Sequence, residues 1–121
     1  MSLDFDRLPE SVKQQILQLQ NLEQQKESIE IQKRHVESRL VEIENALKKI
    51  EENKDAKIYK SIGSILIEED GEKLKKELED EKETLEVRKR TLLKQDEKIK
   101  KRAGEIQAKI RSELGATGVG G

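Results

Sequence analysis

Apolar residues recur along the first half of the chain at alternating steps of three and four. With Leu19 set as heptad position a, the a row runs Val12, Leu19, Lys26, Lys33, Leu40, Leu47, and the d row runs Leu22, Ile29, Val36, Ile43, Ile50. A period of 3.5 sustained over five heptads predicts a coiled-coil helix. It should begin near Pro9, whose missing N–H suits a first helical turn, with Glu10 at the positive end of the helix dipole. Lys26 and Lys33 interrupt the a row, and their aliphatic stems can lie along the seam while the ammonium groups reach water. Ile16 and Leu17 fall at e and f, so the N-terminal turns carry a broader apolar arc than a two-stranded pairing covers. That arc reflects contact with a neighbouring helix, fraying of the end, or a functional apolar surface. The helix should fade at Glu52-Asn53-Lys54-Asp55, where Asn and Asp favour turns.

A second heptad pattern occupies the other half. Leu78, Leu85, Leu92, Ile99 and Ile106 repeat every seven residues; the alternate positions Lys82, Lys89 and Asp96 are polar, and Ala103 and Ile110 restore a full seam near the end. Asp70 is a candidate N-cap, with Glu72 in the first turn.

Between the two patterns the helical period stops. Ile58-Tyr59-Lys60-Ser61-Ile62-Gly63-Ser64-Ile65-Leu66-Ile67 is rich in β-branched and aromatic residues around one glycine. Gly63 and Ser64 as central residues fit a type II′ turn. In that register Ile62 faces Ile65, and Tyr59 shares the opposite face with Leu66. A lone strand pair, apolar on both faces, is marginal in water and leaves its edges unpaired. Ile58, Tyr59, Ile62, Gly63, Ile65, Leu66 and Ile67 are therefore read as an oligomerisation hairpin. The alternative is a hairpin folded back onto its own helices, for which the two seams leave little spare apolar surface.

The expected fold is mainly α: a long antiparallel two-helix coiled coil with one β-hairpin between the helices. It forms a single domain with a helical arm over 9–54, the hairpin over 57–68, a second arm over 71–114 and a flexible Gly-rich tail over 115–121. Gly115 is expected to end the second helix in a left-handed turn. Arms of about 45 residues at a 1.5 Å rise would reach roughly 65 Å from the hairpin. At that far end Val12, Ile16, Leu17, Leu19, Ile106, Ile110 and Leu114 form an apolar tip.

Composition narrows the function. Only 32% of the 121 residues are hydrophobic and 2% aromatic, against 42% charged, which is too little apolar volume for a globular core and close to a coiled-coil profile. Twenty-five basic residues balance twenty-six acidic ones, so there is no global electrostatic case for nucleic acid. Locally, the stretch from Lys94 to Leu114 holds seven basic residues against four acidic, and the first turns lean acidic, which suits an antiparallel pairing. There is no Cys, and the single His35 falls at an outward c position, so thiolate chemistry and His or Cys metal sites are not expected. The carboxylates are spread among Lys and Arg as on a solvated helix surface, and no Gly-rich phosphate motif is present. No catalytic residue, cofactor or metal is expected, and an enzyme is not. No apolar run is long enough for a membrane span, and Met1-Ser2-Leu3-Asp4-Phe5-Asp6 lacks a signal pattern, so a soluble cytoplasmic protein without membrane contact is expected. The run Lys98-Ile99-Lys100-Lys101-Arg102 could touch nucleic acid, but acidic neighbours and the lack of aromatics favour a charged face.

With Tyr59, Gly63 and Leu66 spaced as they are, midway between two heptad arms of matching length, the chain resembles the β-class prefoldin subunits of the archaeal type. One hairpin points to the β class, since α-class subunits carry two. The resemblance implies a heterohexamer of two α-type and four β-type subunits, with hairpins assembled into a β-barrel platform from which the coiled coils hang. It also implies an ATP-independent chaperone whose tips grip non-native client proteins and pass them to a group II chaperonin. A structural or tethering coiled coil without client binding is the other reading that the arms alone would support.

Overall fold

The computed structural model describes residues 5–116. A short 3-10 turn (Phe5–Arg7) precedes helix α1 (Glu10–Glu52), then strands β1 (Ile58–Ile62) and β2 (Ile65–Glu69), and helix α2 (Gly71–Ala116). Two long helices with one antiparallel hairpin between them make up the fold. The described residues divide into two compact units: a hairpin unit of residues 32–91, and a terminal unit that joins residues 5–31 to 92–116.

Pro9 stands at the N-cap of α1 rather than inside it, its carbonyl accepting from Lys13 N–H at 3.0 Å. The helix stops at Glu52 because Asn53 turns its side chain back, Nδ2 donating to the Lys49 carbonyl at 2.9 Å, and a turn closes from Asn53 O to Ala56 N. Helix α2 opens on Asp70, whose Oδ1 accepts from Glu72 N–H at 3.1 Å while its carbonyl accepts from Leu74 N–H at 2.9 Å. Gly115 does not end α2: it stays helical and the helix continues to Ala116. The expected tail lies, from residue 117 on, outside the described residues.

In the hairpin unit the seam is formed by Val36, Leu40 and Ile43 from α1 and Leu78 from α2, with Ile43 fully buried. Cross-helix ion pairs flank it. Arg39 grips Glu81 with two parallel hydrogen bonds, Nε to Oε2 at 2.6 Å and Nη2 to Oε1 at 2.9 Å, and its Nη1 donates to Glu42 on its own helix. Lys82 reaches Glu44 at 3.8 Å and Lys75 reaches Glu51 at 3.6 Å. The fork of Arg39 holds the Glu81 carboxyl below its usual range, chiefly through the hydrogen bonds, and raises the pKa of Arg39 in return.

In the terminal unit Val12, Ile29, Leu92, Ile99 and Ile106 are buried, and so are two polar seam residues. Gln15 occupies the d position between Leu8 and Leu22; its Nε2 donates to Glu113 Oε1 at 3.3 Å and its Oε1 is buried with no partner. Asp96 sits among the seam leucines and isoleucines, with Oδ2 3.3 Å from Lys100 Nζ and Oδ1 buried and unpartnered. Lys26 is half-buried here, as are Lys33 and Lys89 in the hairpin unit, stems along the seam. Ion pairs such as Lys13–Glu10 and Arg102–Glu105 stay within one helix here, and Ser11 and Gln15 cross to Glu113 through neutral donors.

Two outcomes follow. A buried carboxylate oxygen without a partner costs about 1–3 kcal/mol, so Asp96→Leu should raise Tm; an unchanged or lower Tm would count against the buried, unpaired placement. Because the Glu81 pKa is depressed on folding, its ion pair stabilises above the ordinary carboxylate pKa, and that contribution is lost as pH falls through the lowered value. Both partners are more than a third exposed, so the pair contributes a few tenths to about 1 kcal/mol. Arg39→Met should lower Tm at pH 7 and converge with the parent chain once acid has protonated Glu81 in both states; a gap that persists in strong acid would refute the assignment.

Candidate functional site

The hairpin is a two-residue turn. Its ladder pairs Ile62 with Ile65, Ser61 with Leu66, Lys60 with Ile67, Tyr59 with Glu68 and Ile58 with Glu69. Gly63 has φ +58° and Ser64 is not at positive φ, which is the type II′ pattern. Paired residues share a face and neighbours along a strand alternate, so Ile62, Ile65 and Ile67 lie on one face and Tyr59 and Leu66 on the other, as the sequence predicts.

None of these five side chains is covered by the rest of the chain. Leu66 is 68% exposed, Ile65 60% and Tyr59 53%, with Ile62 and Ile67 close behind. Of the apolar hairpin side chains only Ile58, at the foot, is half-buried. Its Cδ1 comes so near the first residue of α2 that a Cβ added at Gly71 would lie 3.2 Å from it, and glycine is what permits the approach. The fold-back alternative is therefore absent. The sheet has two strands, and β1 and β2 each present one edge without a strand neighbour among the described residues.

The terminal unit treats the expected tip residues unequally. Val12 is fully buried and Ile106 nearly so; they are seam residues that hold α1 to α2 and present no surface in this conformation. Ile16, Leu19, Ile110 and Leu114 are half-buried, and Leu17 is 55% exposed. Two residues join them that heptad reading did not select. Leu8 is buried, and Phe5 is exposed with Lys13 Nζ 5.8 Å from its ring centroid. Leu8 lies seven residues before Gln15, so continuing the d row past Pro9 would have found it. His35 is exposed, as an outward c position requires.

These features define a two-helix coiled-coil subunit with a single uncovered hairpin. A family model described as "Prefoldin subunit" matches residues 13–117. The chain is 46% identical to a prefoldin subunit beta of Methanococcus aeolicus over 112 residues, covering 93% of this chain and 97% of that one. It is 39% identical over 108 residues to the prefoldin subunit beta of Archaeoglobus fulgidus, covering 88% and 93%. The crystal structure of the prefoldin beta subunit from Thermococcus strain KS-1 superposes with a TM-score of 0.79 at 34% identity, over 89% of this chain and 96% of that one. The chain belongs to the prefoldin β-subunit family. Membership implies a chaperone role, and these relatives come from archaea.

The turn generates one prediction. A β-branched residue at the φ of Gly63 would be strained by about 1–3 kcal/mol. Gly63→Val should therefore speed amide hydrogen exchange across β1 and β2 by about tenfold or more, with exchange in α1 and α2 unchanged; unaltered hairpin protection would contradict the II′ geometry.

Proposed function

We propose that the chain is the β-type subunit of a heterohexameric, ATP-independent chaperone, four copies joining two α-type subunits through their hairpins. The observation that carries this reading is the uncovered hairpin, with apolar side chains on both faces and edges open to further strands. A strand pair of that kind is satisfied when other hairpins continue its sheet and cover its faces, and closure into a barrel removes the edges. Tyr59, Ile62, Ile65, Leu66 and Ile67 are the residues that the barrel would bury.

Clients are non-native proteins, and the terminal unit is where they bind. Leu17 and Phe5 supply the exposed apolar contacts, with the half-buried Ile16, Leu19, Ile110 and Leu114 around them. Val12 and Ile106 lie beneath this surface and support it. Each chain offers a small patch and hence a weak site, and several patches on one platform convert weak contacts into avidity. No nucleotide is required, since release follows from the weakness of each contact, and transfer to a group II chaperonin needs only that the chaperonin compete for the same segments.

The test separates assembly from capture. Leu66→Ser combined with Ile65→Ser should leave a helical chain that no longer enters an oligomer with an α-type partner, read by native mass spectrometry. Removing residues before Leu22 and after Ile99 should leave the oligomer intact and abolish suppression of aggregation of a denatured reporter enzyme. Full suppression by the truncated oligomer would overturn the client reading and leave a tethering coiled coil.

A further inference from the structure

One side of the terminal unit differs in chemistry from the other. Three clefts follow one another there, with about 430 Å³ of space between Gln25 and Lys98, about 360 Å³ beside Leu17 and Arg102, and about 280 Å³ from Gln14 to Lys109. The second and third share Gln18, Arg102 and Ile106, and the first continues them by one helical turn on each helix. Together they make one groove along the α1–α2 junction of this unit. Its floor is apolar, from Ile106 through Leu22 and Ile99 to Ile29.

The α1 wall is made of amides. Gln14, Gln18, Asn21 and Gln25 follow at steps of four, three and four, which places them on one stripe, and Gln95 of α2 lines the first cleft with Gln25. In a chain that is 42% charged, this wall carries no carboxylate or ammonium at any of those positions. On the other side of the same helices the cleft is lined by Glu23, Lys26 and Lys100. The α2 rim of the amide groove carries Lys98, Arg102, Glu105 and Lys109: Glu105 offsets Arg102 at 3.6 Å, and Lys98 and Lys109, which have no ion-pair partner among the described residues, leave the rim net cationic. Gln15, in the wall of the same groove, keeps a buried carbonyl oxygen without a donor.

We propose that this groove seats an extended, non-native polypeptide segment of apolar and acidic composition, reading its main chain rather than its sequence. The inference rests on the reading that the terminal unit takes clients, and it says how. A carboxamide offers both an acceptor and two donors, so a row of them matches a strand whose N–H and C=O groups alternate whatever its side chains are. Gln25 Nε2 donates to Asn21 Oδ1, which leaves the Asn21 donors and the Gln25 carbonyl turned to other partners. Alternate side chains of the guest meet the apolar floor, and the uncompensated Lys98 and Lys109 favour acidic residues over basic ones. From Ser11 to Ile29 the groove is roughly 27 Å long, enough for about eight extended residues.

The experiment uses the full-length chain in its assembled oligomer and fluorescent ten-residue peptides of leucine, serine and aspartate. One comparison peptide has lysine for aspartate, and another has alternate backbone nitrogens methylated. The aspartate peptide should bind at least fivefold tighter than the other two. Gln18→Glu combined with Gln25→Glu should weaken it about tenfold, whereas Gln107→Glu, on the opposite side, should not change it. If the doubly substituted chain fails to assemble, the N-methyl and lysine comparisons on the parent oligomer still decide the matter. Equal affinity for the methylated peptide, or a Gln18→Glu, Gln25→Glu oligomer that binds as the parent does, overturns the groove. If that happens while truncation of the terminal unit still abolishes aggregation suppression, the client reading stands and only the groove fails. An oligomer that binds no unfolded probe at all removes both.

Discussion

The burial of a narrow seam is the interaction on which the rest of this molecule depends. Ile43, Leu92 and Val12 are its fully buried members, and every other buried apolar residue belongs to the same heptad rows. A seam of this width consumes nearly all the burial that two isolated helices can provide, because each helix presents only one apolar stripe to its partner. The hairpin residues then have nowhere within the chain to go. Tyr59, Ile62, Ile65, Leu66 and Ile67 remain exposed because the apolar stripes that could cover them are already paired with each other.

The two units spend polar residues differently. In the hairpin unit charges face each other across the seam, and the forked contact of Arg39 with Glu81 restricts register through geometry as well as charge. In the terminal unit two polar groups, Gln15 and Asp96, lie inside the seam, each with one oxygen unpartnered. Such positions weaken a helix pair while making alternative registers unfavourable. The terminal unit therefore gives up seam stability at two positions where the hairpin unit places charges across its flanks.

Most of the fold was legible because heptads and strand alternation are local signals. The two arms, the II′ turn at Gly63-Ser64 and the two apolar faces of the strands follow from spacing alone. Leu8 and Gln15 lie outside the d row that begins at Leu22, although a seven-residue step links Leu8, Gln15 and Leu22, because a polar residue at d breaks the apolar pattern. Gly115 was read as a stop because glycine permits a left-handed cap, but permission is not a requirement, and the helix passes through it. For the terminal residues, apolar character alone suggests surface. Val12 and Ile106 show why that fails: in a seam the most regular apolar positions are the least accessible ones.

The amide groove escaped the same method for a deeper reason. Heptad reading asks which residues face the partner helix, and it assigns all others to solvent. In a two-helix pair the flanks of the seam are not plain surface: each is a channel with an apolar floor and walls set by the neighbouring heptad positions. A wall of Gln14, Gln18, Asn21 and Gln25 is neither a seam nor a salt-bridged face, and in the sequence it looks like an uninformative polar run. Its content appears only when α2 supplies the floor and the opposite rim. A guest held there would leave Val12 and Ile106 paired, so capture would not require the helices to part, and the stability of the arm and its affinity for clients could be set by different residues.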